Sequence, residues 1–314
     1  MLIGGQLVAG ARTIEVVNPA TGKSFTTAPV ADENQLNATV AAARHAFSAW
    51  AATSWSTRQD CLLLFAQRLE EETDNFARLL VKEQGKPLAE ARFEIGATVQ
   101  GIRFYASIEL PAETRNHANG SYEIERRPLG VVAAITPWNY PLILASNKFS
   151  PALLTGNTLI LKPAPTTPLT SLELGRLACE IFPCGVFNVI ADNNDLGPHL
   201  TNHPDIAKIS FTGSTATGKR VMQGAAETLK RVTLELGGND PAIVLKDADV
   251  NGAAQGLAAT AFLNAGQICA APKRLYVADE IYDAFCERLV AAVRGLKLGA
   301  GDEDGVTLGP IQNS

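Results

Sequence analysis

The sequence predicts an α/β protein built around a doubly wound parallel sheet. Six short apolar runs, alternating with helical segments, occupy residues 131–135, 158–161, 186–190, 206–211, 232–236 and 242–245. Continuous apolar strands that alternate with helices are typical of a parallel sheet covered on both faces. The composition agrees, because 46% of the 314 residues are hydrophobic and only 19% are charged. The length suits about two domains.

The region before this sheet is predicted to begin with a short strand pair, residues 6–8 and 13–17. A turn follows at residues 18–22, which carry a proline and a glycine. Residues 33–110 place apolar side chains at three- and four-residue spacing, a pattern that predicts a set of helices.

A polar hairpin arm is predicted between these helices and the sheet. Residues 114–127 alternate around Asn119-Gly120. Because this dipeptide is the strongest short signal for a tight hairpin turn, we expect two antiparallel strands here.

Charge and cysteine content exclude several classes of protein. The 27 Lys and Arg against 32 Asp and Glu give a net charge of −5 with no basic block, so nucleic acid and anionic membranes are not expected partners. No basic segment precedes an apolar stretch and no apolar run reaches bilayer length, which predicts a cytoplasmic protein. The five cysteines form no CxxC pair and are expected to be free thiols, most of them buried. His199 and His203 have no carboxylate between them and Pro204 follows, so we expect no metal site.

Ligands of doubly wound sheets bind outside the carboxyl ends of the strands, so the residues after each run are candidates for chemistry. Asn139 follows the first run between Pro137 and Pro141, which suits a rigid donor to a developing oxyanion. Taken alone, this motif favours the alternative of a turn residue that satisfies backbone groups. Lys162 ends the second run before Pro163, where a cation can bind a ribose hydroxyl or a phosphate, or stay solvated.

A glycine turn follows the fourth run and leads into a helix. Gly213 and Gly218 resemble a phosphate-binding P-loop, but Arg220 stands where that loop carries a Ser or Thr for magnesium. A nucleoside triphosphatase is therefore not favoured. What remains is a helix N-terminus with Ser214 or Thr215 near its cap, which suits one pyrophosphate.

Two further residues are candidates for acid–base and nucleophilic chemistry. Glu235 ends an apolar run before a glycine pair. An apolar setting raises the pKa of a carboxyl and suits a general base, although a structural carboxylate is the alternative. Cys269 follows Gly266 among small residues, where a backbone can approach closely. By composition alone, a free cysteine is more often an inert buried thiol than a nucleophile.

Five separated segments carry these candidates in one order along the chain. They are Pro137-Trp138-Asn139, Lys162-Pro163, Phe211-Thr212-Gly213-Ser214, Leu234-Glu235-Leu236-Gly237-Gly238 and Gly266-Gln267-Ile268-Cys269. In order and spacing they resemble the motifs of the NAD(P)-dependent aldehyde dehydrogenase superfamily. The resemblance covers essentially the whole chain.

The resemblance implies a Rossmann-like cofactor domain and a covalent mechanism. Cys269 would attack the aldehyde carbonyl to form a thiohemiacetal, with its oxyanion held by the Asn139 amide and the Cys269 backbone N–H. Hydride transfer to the nicotinamide would leave a thioester, which water activated by Glu235 hydrolyses to the carboxylic acid. The implied cofactor is NAD or NADP. The implied cofactor contacts are Thr136, Trp138, Lys162, Pro165, Gly213, Ser214 and Leu236.

Two departures from the family pattern bear on these expectations. Many NAD-preferring relatives carry a glutamate three residues after the lysine; here that residue is Pro165, so NADP is expected to bind as well as NAD. Relatives also continue beyond residue 314. We therefore expect an NAD(P)-binding domain at residues 1–236, with a hairpin arm at about 113–128, and a truncated catalytic domain at residues 237–314 with exposed hydrophobic surface. The complete protein is expected to be a homo-oligomer.

Three functions stay open at this point. The first is oxidation of a small-molecule aldehyde by the complete enzyme, the second is a catalytically silent form that retains nucleotide binding, and the third is hydrolysis of a thioester or ester. The joint presence of Asn139, Lys162, Glu235 and Cys269 favours the first for the chemistry of the family. Aldehyde-dependent reduction of NAD or NADP distinguishes them.

Overall fold

The computed structural model describes residues 1–313 of the chain. Its strands, numbered along the chain, are β1 (Leu2–Ile3), β2 (Gln6–Leu7), β3 (Arg12–Asn18), β4 (Lys23–Val30), β5 (Glu113–His117), β6 (Gly120–Ile124), β7 (Val131–Ile135), β8 (Thr158–Lys162), β9 (Phe187–Val189), β10 (Ile206–Thr212), β11 (Arg231–Glu235), β12 (Asp240–Val244) and β13 (Pro272–Val277). Its α-helices are α1 (Glu33–Ala51), α2 (Trp55–Glu71), α3 (Thr73–Gln84), α4 (Leu88–Ala106), α5 (Pro141–Leu154), α6 (Leu169–Cys179), α7 (Gly197–Asn202), α8 (Thr215–Ala226), α9 (Val250–Ala261) and α10 (Tyr282–Arg294).

A seven-stranded sheet lies at the centre in the order β11-β10-β7-β8-β9-β1-β2. Strands β7 to β11 pair in parallel, and β1 and β2 extend one edge in antiparallel pairing. The predicted doubly wound parallel sheet is therefore confirmed. The register sets Ile135 beside Lys162 and Thr212 beside Glu235, so the carboxyl ends of four strands meet at one edge.

Helices cover both faces of this sheet. Along β7, Val132 and Ala134 belong to one core, which is filled from α2 to α6. Val131, Ala133 and Ile135 belong to the opposite core, which is filled from α1, α7 and α8. A strand buried on both faces needs an apolar side chain at every position, and this is the origin of the continuous apolar runs.

The N-terminal strands pair differently from the prediction, which joined residues 6–8 to residues 13–17. Strand β2 pairs with β1, and β3 pairs with β4. Gly4 and Gly5 take φ values of 60° and 84° between β1 and β2, and the Asn18 side chain accepts the N–H of Ala20 between β3 and β4. Each pair is thus closed by its own tight turn, which leaves β2 and β3 unpaired with each other.

The last predicted run, residues 242–245, lies outside the main sheet. Strand β12 pairs in parallel with β13 as a separate two-stranded sheet. Residues 237–239 are exposed and carry the chain away from β11. With α9 and α10, this sheet encloses a small core that includes Phe285. The side chains of Ile243 and Leu245 stay 71% and 63% exposed.

The remaining predicted elements are confirmed. The hairpin arm is β5 and β6, and Gly120 in its turn takes a φ of 138°. The predicted helical region is α1 to α4.

Within residues 1–313, no helix combines the length and the apolar character that crossing a bilayer requires. The same residues contain no group of three or more His, Cys, Asp or Glu side chains placed to hold a metal ion.

Candidate active site

A cleft opens at the carboxyl edge of the central sheet, between the ends of β7, β8 and β10 and the first turns of α8. Its volume is about 880 Å³. Six of the residues expected to contact a cofactor line it: Thr136, Trp138, Lys162, Pro165, Gly213 and Ser214. The seventh, Leu236, packs instead against Gly218 of α8.

One end of this cleft suits a pyrophosphate. Ser214 caps α8 by accepting the N–H of Thr217 on its Oγ at 3.2 Å. The first N–H groups of a helix have no intrahelical partner and favour an anion. A Cβ on Gly213 would lie 2.5 Å from the ring of Phe211, so the turn has to be glycine there. The buried Oγ1 of Thr136 has no hydrogen-bond partner within residues 1–313, and it lines the cleft. These residues fit a dinucleotide.

Lys162 does not stand free at the end of β8. Its ammonium is almost completely buried and pairs with the carboxylate of Asp192, which is fully buried. It also donates to the carbonyl of Pro163 at 3.2 Å. The second carboxylate oxygen of Asp192 accepts the N–H of Leu196 at 3.1 Å. The solvated alternative for Lys162 is therefore wrong, because the ends of the neighbouring strands β8 and β9 bring an acid to the base.

Asn139 contacts the loop that carries Cys269. Its Nδ2 donates to the carbonyl of Gln267 at 2.8 Å. The backbone carbonyl of Asn139 accepts from the Nζ of Lys86 at 2.9 Å and from the Nδ2 of Asn264 at 3.1 Å. The side chain thus satisfies a backbone carbonyl, as the turn alternative predicts, and it does so within two residues of the candidate nucleophile.

The loop before Cys269 contains a run of left-handed residues. Asn264, Ala265 and Gly266 have φ values of 50°, 55° and 75°. The Oε1 of Gln267 accepts the N–H of Gln312 at 2.9 Å. Polar contacts from outside the loop therefore fix an uncommon backbone conformation next to the thiol.

All five cysteines are free thiols, as predicted, but the expectation that most are buried is wrong. Three are half-buried, namely Cys61, Cys179 and Cys286. Cys184 and Cys269 are exposed, because each lies in a loop. Exposure at Cys269 is what a nucleophile needs, since a substrate has to reach its sulfur.

Glu235 ends β11, the outer strand of the sheet, and its side chain is exposed. The expected apolar setting is wrong, because an outer strand has a neighbour on one side only. The charge of Glu235 acts on Lys148 of α5, a residue that donates to the Oγ1 of Thr212 at 2.7 Å. Burial lowers the pKa of Lys148 to about 8, against the opposing influence of Glu235.

A buried ion pair lies behind the Asn139 turn. The side chains of Lys86 and Glu94 are both fully buried and paired. The Nζ of Lys86 lies 3.7 Å from the centroid of the Tyr140 ring, and Glu94 accepts the N–H of Leu142 at 2.9 Å. The pair therefore joins α4 to the first turn of α5 and to the turn that presents the Asn139 side chain.

The comparison with known proteins covers nearly all of the sequence. The model of the aldehyde dehydrogenase family matches residues 7–314. The chain belongs to this family. Phenylacetaldehyde dehydrogenase of Pseudomonas fluorescens is 42% identical over an alignment of 331 residues. The alignment covers 99% of this chain and 65% of that aldehyde dehydrogenase. The NADP(+) succinate-semialdehyde dehydrogenase GabD of Escherichia coli K12 is 41% identical over 304 residues, which cover 95% of this chain and 63% of that protein.

The fold agrees with the family. The crystal structure of an NAD-dependent aldehyde dehydrogenase from Sinorhizobium meliloti matches with a TM-score of 0.97 at 37% identity, covering 100% of this chain and 65% of that one. This chain therefore spans just under two thirds of the length of the aldehyde dehydrogenases it matches.

Several residues that surround this candidate site were not predicted from the sequence. Lys148 lies on an apolar helix shortly after Asn139, and Asp192 lies just after a strand, as Lys162 does. Position after a strand was therefore a usable signal for Asp192. Lys86 and Glu94 carried no such signal, because charged residues on predicted helices are normally assigned to the surface.

Proposed function

We propose that the complete protein oxidises a small-molecule aldehyde to a carboxylic acid, with NAD or NADP as the acceptor. The contact between the Asn139 amide and the Gln267 carbonyl carries the proposal, because it joins the proposed oxyanion donor to a residue two positions before an exposed thiol. The cleft with its helix N-terminus lies along the same edge of the sheet. Relatives named for aldehydes, one with NADP(+) and one NAD-dependent, support the reaction type.

Cys269 acts as the nucleophile. Its thiolate sulfur adds to the carbonyl carbon, and the carbonyl oxygen becomes the oxyanion of a thiohemiacetal. The Nδ2 of Asn139 carries two N–H groups, of which one is engaged by Gln267 and the second can donate to this oxyanion. The backbone N–H of Cys269 supplies the other donor.

The second half of the reaction releases the acid. The nicotinamide of a dinucleotide held by Ser214 and the first turn of α8 would supply the acceptor for hydride from the substrate carbon. A thioester then remains on Cys269. Glu235 takes a proton from a water molecule, whose oxygen attacks the thioester carbon, and the C–S bond breaks to regenerate the thiolate. The exposure of Glu235 gives water direct access to its carboxylate.

The other proposed roles follow the same division of the chain. Ser214 and the first turn of α8 would hold the pyrophosphate, Lys162 the adenosine ribose, and Trp138 one wall of the cleft. We assign cofactor binding to residues 1–236 and part of the catalytic domain to residues 237–314, supported by the separate sheet and small core of the latter. The absence of disulfides among five cysteines favours a reducing, cytoplasmic setting.

Replacement of the nucleophile tests the proposal. In the complete enzyme, Cys269→Ala should abolish aldehyde-dependent reduction of NAD or NADP and any ester hydrolysis. Cofactor affinity should stay nearly unchanged, because the thiol forms the covalent bond and not the binding surface. Cys184→Ala is the matched control, since this thiol is also exposed, and it should retain activity. Normal turnover by Cys269→Ala would contradict the assignment.

A further inference from the structure

Asp192 is a buried carboxylate that the proposed chemistry does not use. It follows β9, and its side chain is fully buried. One oxygen pairs with the Nζ of Lys162, and the other accepts the N–H of Leu196. Both oxygens are therefore engaged, and the contact between Asp192 and the cleft runs through Lys162.

The pair restricts what Lys162 can offer to a ligand. Lys162 lines the cleft near Pro165, which carries no charge. The ammonium has three N–H groups, of which one faces Asp192 and one the carbonyl of Pro163. A third N–H can donate to a ribose hydroxyl while the pair stays intact.

A phosphate on the ribose interacts with Lys162 differently from a hydroxyl. It attracts the whole positive charge, but the charge of Lys162 is already compensated by Asp192. Movement of the ammonium toward the phosphate would leave Asp192 buried without its partner, which is strongly unfavourable. Arg220 also lines the cleft, but it lies on the exposed side of α8.

We propose that Asp192 is a positioning residue that holds Lys162 and makes the cleft prefer NAD over NADP. The inference rests on the proposed function, since it takes the cleft to be a dinucleotide site. It assigns to Asp192 the discrimination that the uncharged Pro165 does not supply.

Removal of the charge with retention of the shape tests this role. Dissociation constants of NAD and NADP are measured by fluorescence quenching for the unchanged chain and for Asp192→Asn, in which the side-chain oxygen still accepts the Leu196 N–H. The ratio of the NADP constant to the NAD constant should fall about tenfold, the size of one charge-assisted contact. Asp195→Asn is the matched control, because this nearby carboxylate is exposed and pairs with Arg12. Its ratio should not change.

A second variant separates positioning from direct repulsion. In a Lys162→Gln background, Asp192→Asn should leave the ratio unchanged, because Asp192 no longer has the lysine through which it acts. A full tenfold shift in that background would overturn the positioning role. So would an unchanged ratio for Asp192→Asn alone.

The unchanged chain supplies a test that needs no variant to fold. It should bind adenosine 5′-monophosphate at least as tightly as adenosine 2′,5′-bisphosphate, and tighter binding of the bisphosphate would overturn the inference. If the unchanged chain binds neither dinucleotide, the proposed function itself fails. If both bind and the Asp192→Asn ratio stays constant, only the role of Asp192 is lost.

Discussion

Replacement of Lys86 by methionine is expected to destabilise the protein far more than replacement of an exposed lysine or arginine would. Met has a similar length and keeps the apolar part of the packing, but it removes the ammonium between Glu94, the carbonyl of Asn139 and the ring of Tyr140. Glu94 is then left buried with a negative charge and without a cation. Breaking a buried pair in this way costs about 3–5 kcal/mol.

The contacts of Glu94 place the expected loss in the lower part of that range. Its carboxylate keeps the N–H of Leu142, which continues to stabilise the charge. We therefore expect Lys86→Met to lower the free energy of unfolding by about 3 kcal/mol. Urea denaturation followed by tryptophan fluorescence measures this value. The double variant Lys86→Met/Glu94→Gln should lose less than half as much, because no unpaired charge remains.

Arg103→Met on α4, the helix that carries Glu94, is the matched control. Arg103 pairs with Glu70 at the surface, where the two side chains are 36% and 52% exposed. Loss of such a pair changes stability by about 1 kcal/mol or less. If Lys86→Met costs no more than Arg103→Met, or if the double variant is less stable than Lys86→Met, the reasoning from burial is refuted.

Two further predictions concern the proposed reaction. Glu235→Gln should slow hydrolysis of the thioester much more than reduction of the cofactor, giving a burst of reduced cofactor before a slow steady state in stopped-flow absorbance; an equal decrease of both phases would mean that Glu235 acts earlier or only structurally. Pro165→Glu should weaken NADP relative to NAD by about 1–3 kcal/mol, because the new carboxylate repels a 2′-phosphate and accepts from a ribose hydroxyl. Dissociation constants of both cofactors measure this change, and a constant ratio would show that residue 165 does not face the ribose.

The sequence predicted those parts of the fold that depend on local burial. The run at β7 is apolar at every position because helices cover both faces, and that pattern is readable without knowledge of partners. The pairing of strands was less readable. Strands β2 and β3 were predicted to pair because they follow each other in the sequence. In the structure, β2 pairs with β1 and β3 pairs with β4, each across its own tight turn. Strand β12 was assigned to the main sheet because its composition resembles that of the others.

The candidate site shows the same division. Asn139 and Cys269 were predicted from the order of five separated segments and the family resemblance that these segments carry, because each residue on its own favours a structural role. The surroundings of Glu235 were predicted wrongly, because its exposure depends on the place of β11 in the strand order. The buried partner of Lys162 and the pair behind Asn139 depend on contacts between residues far apart in the chain. The place of Asp192 after a strand marks it as a candidate for chemistry, but no local pattern marks a charged residue for burial.

The left-handed turn before Cys269 has a consequence for the behaviour of the thiol. Ala265 carries a Cβ, and holding it at a positive φ costs about 1–2 kcal/mol. Asn264 and Gly266 tolerate that conformation better. Bonds from Gln267 to the Asn264 carbonyl within the turn, and contacts with Asn139 and Gln312 outside it, hold this conformation. The alignment of the Cys269 sulfur is therefore coupled to Gln312, a residue with no role in the proposed reaction, as well as to Asn139, whose amide is the proposed oxyanion donor.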